Sequence, residues 1–134
     1  MIPGQGRILF MDDEEAIREV ATEVLNQLGY EVDCAQDGLE ATELFRKAHA
    51  SGDPYAAVIL DLVVRNGMGG REAIEHLLEI NPEARVIVSS GYSNDPVLSD
   101  FKSYGFSGWI TKPYTVQNLS RVLAGVIEKE GITD

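Results

Sequence analysis

The stretch "RILFMDDEE", Arg7 to Glu15, runs four apolar residues straight into four acids. Ile8, Leu9, Phe10 and Met11 form a run short enough to be a buried β-strand. Acids at the end of such a strand need a reason, because like charges repel and desolvating a carboxylate is costly. Two readings compete. In the first, Asp13 caps a helix and Glu14 and Glu15 occupy its first turn, where the helix dipole favours them. In the second, part of the cluster holds a cation.

Outward from this stretch the chain alternates short apolar runs with helical stripes. Ile17, Val20, Ala21, Val24, Leu25 and Leu28 recur at helical spacing up to Gly29. A second strand is predicted over Tyr30 to Ala35. Asp37 then caps a second helix, with Glu40 three residues on as in a capping box. Ala41, Leu44, Phe45 and Ala48 form that helix's buried face, and Ser51-Gly52-Asp53-Pro54 ends it. Ala56 to Leu60 is a third strand, apolar throughout, and "RNGMGG" at Arg65 to Gly70 is a loop. A third helix turns Ile74, Leu77 and Leu78 inward and stops at Asn81-Pro82. A fourth strand runs from Arg85 to Ser89-Ser90. Asp95 and Pro96 open a short fourth helix. Phe106 to Ile110 is a fifth strand, and Thr115 caps a last helix with Leu119, Val122, Leu123, Val126 and Ile127 on one face.

This order is (βα)5. Strands apolar on both faces and separated by helices imply a parallel sheet covered on both sides, and right-handed crossovers make it doubly wound. The fold class is α/β, in one domain, which suits 134 residues. Net charge is -11, from 22 acids against 11 bases, which excludes a basic nucleic-acid surface. No apolar run approaches the roughly 18 residues of a membrane span, and the N-terminus lacks the pattern of a signal peptide. The lone Cys34 forms no internal disulfide and fits a cytoplasmic location.

In an open parallel sheet, ligands bind beyond the carboxyl ends of the strands. There the predicted strands place Asp12 and Asp13, Asp61, Ser89 and Ser90, and Thr111 and Lys112. Each alone has an ordinary structural explanation; chance does not readily supply their joint placement. Three carboxylates suit a hard, oxygen-seeking cation such as Mg²⁺, which keeps waters and binds phosphate oxygens. A hydroxyl and a lysine nearby suit the other oxygens of a phosphoryl group. Asp61, after the central strand, is the best-placed nucleophile.

The motifs "MDDE", "VILDL", "VIVSSG" and "WITKP", in this order, resemble the receiver domain of two-component response regulators. The resemblance covers about residues 7–128 and leaves 1–6 and 129–134 as tails. It implies the flavodoxin-like receiver fold, and transfer of a phosphoryl group from a histidine kinase or histidine phosphotransfer protein onto an aspartate with Mg²⁺. Asp61 is then the phosphoacceptor. Asp12, Asp13, Asp61 and the backbone carbonyl of Val63 are the metal ligands, directly or through water. Lys112 pairs with the phosphoryl group, and the Lys112-Pro113 bond is cis. Ser90, followed by the small Gly91, is the switch hydroxyl, with Ser89 on the other side of the strand; Trp109, three before the lysine, is the switch aromatic.

The loop departs from the family's common form, which often has proline where this chain has Arg65. "DLVVRNGMGG" and "SSGYSNDP" resemble receivers attached to hybrid sensor histidine kinases. The resemblance implies a signalling domain rather than an enzyme, a downstream protein target, no direct contact with nucleic acid or membrane, and a monomer or weak dimer. Two alternatives stand beside it. One is a Mg²⁺-dependent phosphatase with an aspartyl nucleophile, which needs a second acid where this chain has Val63. The other is a receiver-like module that binds proteins without phosphorylation. His49 and His76 read as solvated or packed, Cys34 as a small apolar residue, and Gly67, Gly69 and Gly70 as serving loop geometry.

Overall fold

The computed structural model describes residues 6–92 and 94–127. Five strands, β1 (Arg7–Met11), β2 (Glu31–Ala35), β3 (Ala57–Asp61), β4 (Val86–Ser90) and β5 (Gly108–Thr111), form one parallel sheet in the order β2-β1-β3-β4-β5. Between and after them lie α1 (Glu15–Gln27), α2 (Gly38–Ala50), α3 (Gly70–Ile80), the single-turn α4 (Pro96–Ser99) with a 3-10 turn at Phe101–Tyr104, and α5 (Val116–Ile127). The expected doubly wound (βα)5 sheet is what forms. The N-terminal tail before Gly6 and the C-terminal tail lie outside the described residues.

Two cores explain the apolar runs. Successive strand residues point to opposite faces. Leu9, Met11, Val58, Leu60, Val86 and Val88 pack on one side against Phe45 of α2 and Ile74 and Leu77 of α3. Ile8, Phe10, Ile59, Ile87 and Ile110 pack on the other against Leu25 of α1 and Leu119 and Leu123 of α5. Every residue of β3 and β4 is therefore buried, whereas the edge strands β2 and β5 are only partly so.

The strand boundaries shift by a residue or two from expectation, most at β5, and the expected short α4 forms. The residue preceding α1 is Glu14, not Asp13, and it makes no side-chain cap. The carboxylates of Asp12 and Asp13 accept from Glu14 and Arg65 N–H groups instead. β5 begins at Gly108 rather than Phe106. Gly105 takes a left-handed conformation, φ 97°, and Phe106 N–H bonds back to Phe101 carbonyl at 3.1 Å, so Phe106 closes the 3-10 turn as a buried plug. α4 is a single turn because the chain tightens into that 3-10 segment. α2, by contrast, starts as predicted: Asp37 accepts from Glu40 N–H at 2.9 Å, and Glu40 reaches back to Gln36 N–H at 2.8 Å. Thr115 likewise accepts from Asn118 N–H at 3.0 Å at the start of α5.

At the amino end of the sheet, Arg7 ties three segments together. Its guanidinium reaches Asp33 of β2 at 2.8 Å and Asp53 at 2.9 Å, and lies over the Tyr55 ring at 4.6 Å. Tyr55 hydroxyl donates to Asp33 at 2.8 Å. The hydrogen bond from Arg7 holds the Asp33 carboxyl below its ordinary 3.8, against the opposing effect of burial. A depressed carboxylate pKa stabilises the fold above 3.8, and that stabilisation is lost as pH falls through the still lower folded value. Asp33→Asn is expected to cost up to about 1 kcal/mol at pH 7, a partly exposed pair being screened. The gap to wild type should hold down to pH 3.8 and close only below it, as read by chemical unfolding across that range.

Candidate functional site

β1 and β3 end side by side in the sheet, and each carries a carboxylate past its last core residue. Asp12 continues the pairing of β1, its N–H bonding to Ala35 carbonyl at 3.0 Å. Its side chain is buried, and the two oxygens do different work. Oδ1 accepts from Glu14 N–H at 2.9 Å, an Asx turn that aims the chain into α1. Oδ2 pairs with the Lys112 ammonium, 2.8 Å from Nζ, and a carboxylate oxygen has more than one lone pair, so this buried oxygen retains acceptor capacity. Arg18 of α1 donates to the Asp12 carbonyl at 2.8 Å, locking the turn from behind.

Asp13 is partly buried, and its Oδ2 accepts from Arg65 N–H at 3.2 Å. Asp61, at the end of β3, is 4% exposed, and its Oδ2 is 3.2 Å from Lys112 Nζ. Lys112 N–H bonds to Ser90 carbonyl at 2.9 Å, which extends the β4–β5 ladder and brings the ammonium over both acids. Ser90 Oγ accepts from Tyr92 N–H at 3.0 Å. Asp13, Glu14, Asp61, Val63, Arg65, Ser90, Gly91, Tyr92 and Lys112 line one cleft of about 370 Å³.

The neighbouring residues sort as the strand period demands. Ser89 faces the opposite side and pairs with Tyr114 hydroxyl, which packs edge-on against Phe10. Trp109 does not line the cleft; it is 44% exposed on β5, in a groove bounded by Phe101, Lys102, Arg121 and Val122. The Lys112-Pro113 peptide is cis. Gly69 and Gly70 are required by close approach: a Cβ would sit 2.5 Å from Leu62 carbonyl oxygen and 2.8 Å from that of Asp61. Cys34 is partly buried beside Thr22 Oγ1 at 3.3 Å, and His76 lies 3.8 Å from Glu79.

Burial pushes the Asp61 carboxyl up to about 6; Asp12 adds to the rise, while the Lys112 ammonium and Val63 N–H oppose it. For Lys112, burial alone would lower the pKa, yet the carboxylates of Asp12 and Asp61 outweigh it and hold the ammonium above its ordinary value. One cation thus faces two buried acids, with a third acid beside them.

The donor set fits a hard divalent cation. Asp12, Asp13 and Asp61 each offer a carboxylate oxygen, all within 4.8 Å of one another, and no other such trio occurs among the described residues. Oxygens held by Mg²⁺ at about 2.0–2.1 Å lie roughly 3–4 Å apart, so only slight closure is needed. The buried Asp12 Oδ2, which has the Lys112 ammonium as its one close donor, keeps lone-pair capacity for such an ion.

Residues 8–124 match the model of the response regulator receiver domain, and the chain belongs to that family. It is 26% identical to the sensor kinase CckA of Brucella abortus over 96% of this chain but 13% of that one. It is 28% identical to sporulation initiation phosphotransferase F of Bacillus subtilis, over 84% of this chain and 86% of that one. The receiver domain of the sensor histidine kinase PA1611 of Pseudomonas aeruginosa, whose structure has a magnesium ion coordinated in the active site cleft, superposes with a TM-score of 0.79. That alignment covers 92% of this chain and 98% of that one at 21% identity. The chain is therefore a phosphoacceptor receiver domain of the two-component type, with the flavodoxin-like receiver fold.

The charge balance predicts opposite effects of two substitutions without metal. Lys112→Met leaves two buried carboxylates uncompensated and should lower stability by about 3 kcal/mol. Asp61→Asn removes one of them and should raise it. Because the Asp61 pKa is raised, stability present below 3.8 is lost as pH climbs through about 6. Asp61→Asn should flatten that loss in urea unfolding with chelator between pH 4 and pH 7.

Proposed function

We infer that Asp61 is the phosphoacceptor, that Asp12, Asp13, Asp61 and the Val63 carbonyl hold Mg²⁺, and that Lys112 is the phosphoryl partner. The observation that carries this is the shared cleft: a buried carboxylate on the central strand, two further acids within 4.8 Å, and an ammonium 3.2 Å away. Mg²⁺, when bound, neutralises charge building up on the transferring phosphoryl oxygens. Asp61 attacks phosphorus in line with the leaving group, and the bond to the donor's nitrogen or oxygen breaks with its electron pair. Lys112 then exchanges its contact with the Asp61 carboxylate for one with a phosphoryl oxygen. Tight packing around β3 fixes the nucleophile, so little orientation remains to be lost in the transition state.

Ser90 is the switch hydroxyl in this reading. Its Oγ borders the same cleft and now accepts from Tyr92 N–H, so turning toward a phosphoryl oxygen loosens the segment after β4. Trp109, on the neighbouring strand and half-open to solvent, reads that change on the surface formed with α4 and α5. A downstream protein responds to it. The donor is a histidine kinase or histidine phosphotransfer protein, and the domain extends over about residues 7–128. The loop resembling kinase-attached receivers supports a place in a hybrid histidine kinase. No described helix is long and apolar enough to cross a membrane, and a cytoplasmic location is part of this reading.

Acetyl phosphate with Mg²⁺ should add one phosphoryl group to the wild type, detected by mass under conditions that preserve acyl phosphates. Asp61→Asn, or wild type with chelator, should gain none. Equal labelling of wild type and Asp61→Asn would remove Asp61 from the role.

Beryllofluoride with Mg²⁺ should change the emission of Trp109, the chain's only tryptophan. The change should shrink in Ser90→Ala and vanish in Asp61→Asn. Persistence in Asp61→Asn would disconnect Trp109 from the site.

A further inference from the structure

Arg65 stands in the loop after β3, exposed to solvent. Its backbone N–H bonds to Asp13 Oδ2 at 3.2 Å, and its residue lines the cleft shared by Asp61 and Lys112. The loop that carries it is pinned. Beyond Arg65, Met68 carbonyl accepts from Gly38 N–H at 2.7 Å, and Gly69 and Gly70 lie against the Leu62 and Asp61 carbonyls too closely for a Cβ. Asn66 adopts φ 56°, a left-handed turn that Asn tolerates, so the bend after Arg65 is a built one. Among the described residues no ion pair engages the Arg65 guanidinium.

The charges in the cleft give that guanidinium a task. Lys112 already faces two carboxylates, at 2.8 and 3.2 Å. Lys112 and one divalent cation together only balance the three aspartates. At long range an incoming phosphoryl dianion therefore meets a balanced set, and Glu14 on the rim, in a chain of net charge -11, repels it. Among the described residues Arg65 is the one remaining cation lining the cleft. A guanidinium presents a planar fork that matches two phosphoryl oxygens.

We propose that Arg65 binds and orients the phosphoryl dianion of the donor at the mouth of the cleft, and so sets the rate at which Asp61 is phosphorylated. The proposal rests on Asp61 being the acceptor. In the step itself Asp61 forms a bond to phosphorus. The P–O bond of acetyl phosphate breaks and acetate leaves with the electron pair, or the P–N bond of phosphoramidate breaks and its already protonated nitrogen leaves as ammonia. Arg65 makes and breaks no bond; it is a positioning residue. Both sources share the transferable dianion, one with an oxygen and one with a nitrogen leaving group, the latter as in a phosphohistidine.

The test compares wild type, Arg65→Gln and Arg65→Lys with each donor, at saturating Mg²⁺ and at low and high ionic strength. Arg65→Gln should phosphorylate about five- to tenfold more slowly with both donors at low salt, with a weaker dependence on salt than wild type. Arg65→Lys, which keeps charge without the fork, should fall between them. Two further readouts exclude a merely structural effect. Mg²⁺ alone should stabilise Arg65→Gln against melting at least as well as wild type, because a nearby positive charge has been removed. Beryllofluoride with Mg²⁺ should need several-fold more anion to give half its stabilisation. Equal rates and equal salt dependence in wild type and Arg65→Gln would overturn the proposal while leaving Asp61 in place. No labelling of wild type by either donor would overturn the acceptor assignment itself.

Discussion

The Lys112 ammonium, set between Asp12 at 2.8 Å and Asp61 at 3.2 Å, is the contact on which the carboxyl edge of this sheet depends. Two buried carboxylates at that range would repel and lose hydration without it. The ammonium is brought there by a backbone bond to Ser90 on the neighbouring strand, so the charge balance is enforced by sheet register rather than by side-chain freedom. One cation for three acids is an incomplete neutralisation. The shortfall leaves the excess negative charge concentrated in one place, where the three oxygens come within 4.8 Å of one another.

The double cover of the sheet makes that geometry stiff. Asp61 follows four fully buried residues of β3, and the chain beyond it is pulled over β4 by Leu62 N–H bonding to Ser89 carbonyl at 2.8 Å. Behind the cleft, Asx-turn and arginine contacts hold Asp12, and the Ser89–Tyr114 pair fixes the strand next to Ser90. Adjacent serines thus divide between anchorage and mobility. The one facing the core is tied to a side chain, and the one facing the cleft is held only by the Tyr92 backbone, accepting from its N–H at 3.0 Å and donating to its carbonyl at 3.4 Å, an acceptor that another oxygen can replace.

Much of this was legible in the sequence because it follows from local rules. Buried strands announce themselves as apolar runs, and residues at their carboxyl ends share an edge by topology alone, which is how Asp12, Asp61, Ser90 and Lys112 come together. Asp37 and Thr115 are caps that need no tertiary information. Legibility failed where a residue had two possible employers. Asp13 reads locally as either a helix cap or a metal ligand, and only the fold shows that it caps no helix and that its carboxylate accepts from Arg65 N–H across 52 positions of sequence. Phe106 looks like the start of a strand, yet Gly105 turns it into the plug of a 3-10 turn. The Arg7–Asp33–Asp53–Tyr55 network joins residues up to 48 positions apart, and no periodicity predicts it. Arg18 on the Asp12 carbonyl is of the same kind, although an arginine one and a half helical turns after the acids was a usable sign.

The partly buried strands at the two ends of the sheet have a consequence for how this domain coexists with copies of itself. An open strand edge is a template on which another chain can add, and long flat apolar edges invite aggregation. Here β2 places Glu31 and Asp33 on one border, and β5 is only four residues long and begins with Gly108 on the other. Charge guards the first border and brevity the second. The two apolar layers can therefore be as large as the central strands require without the sheet growing beyond its own five members.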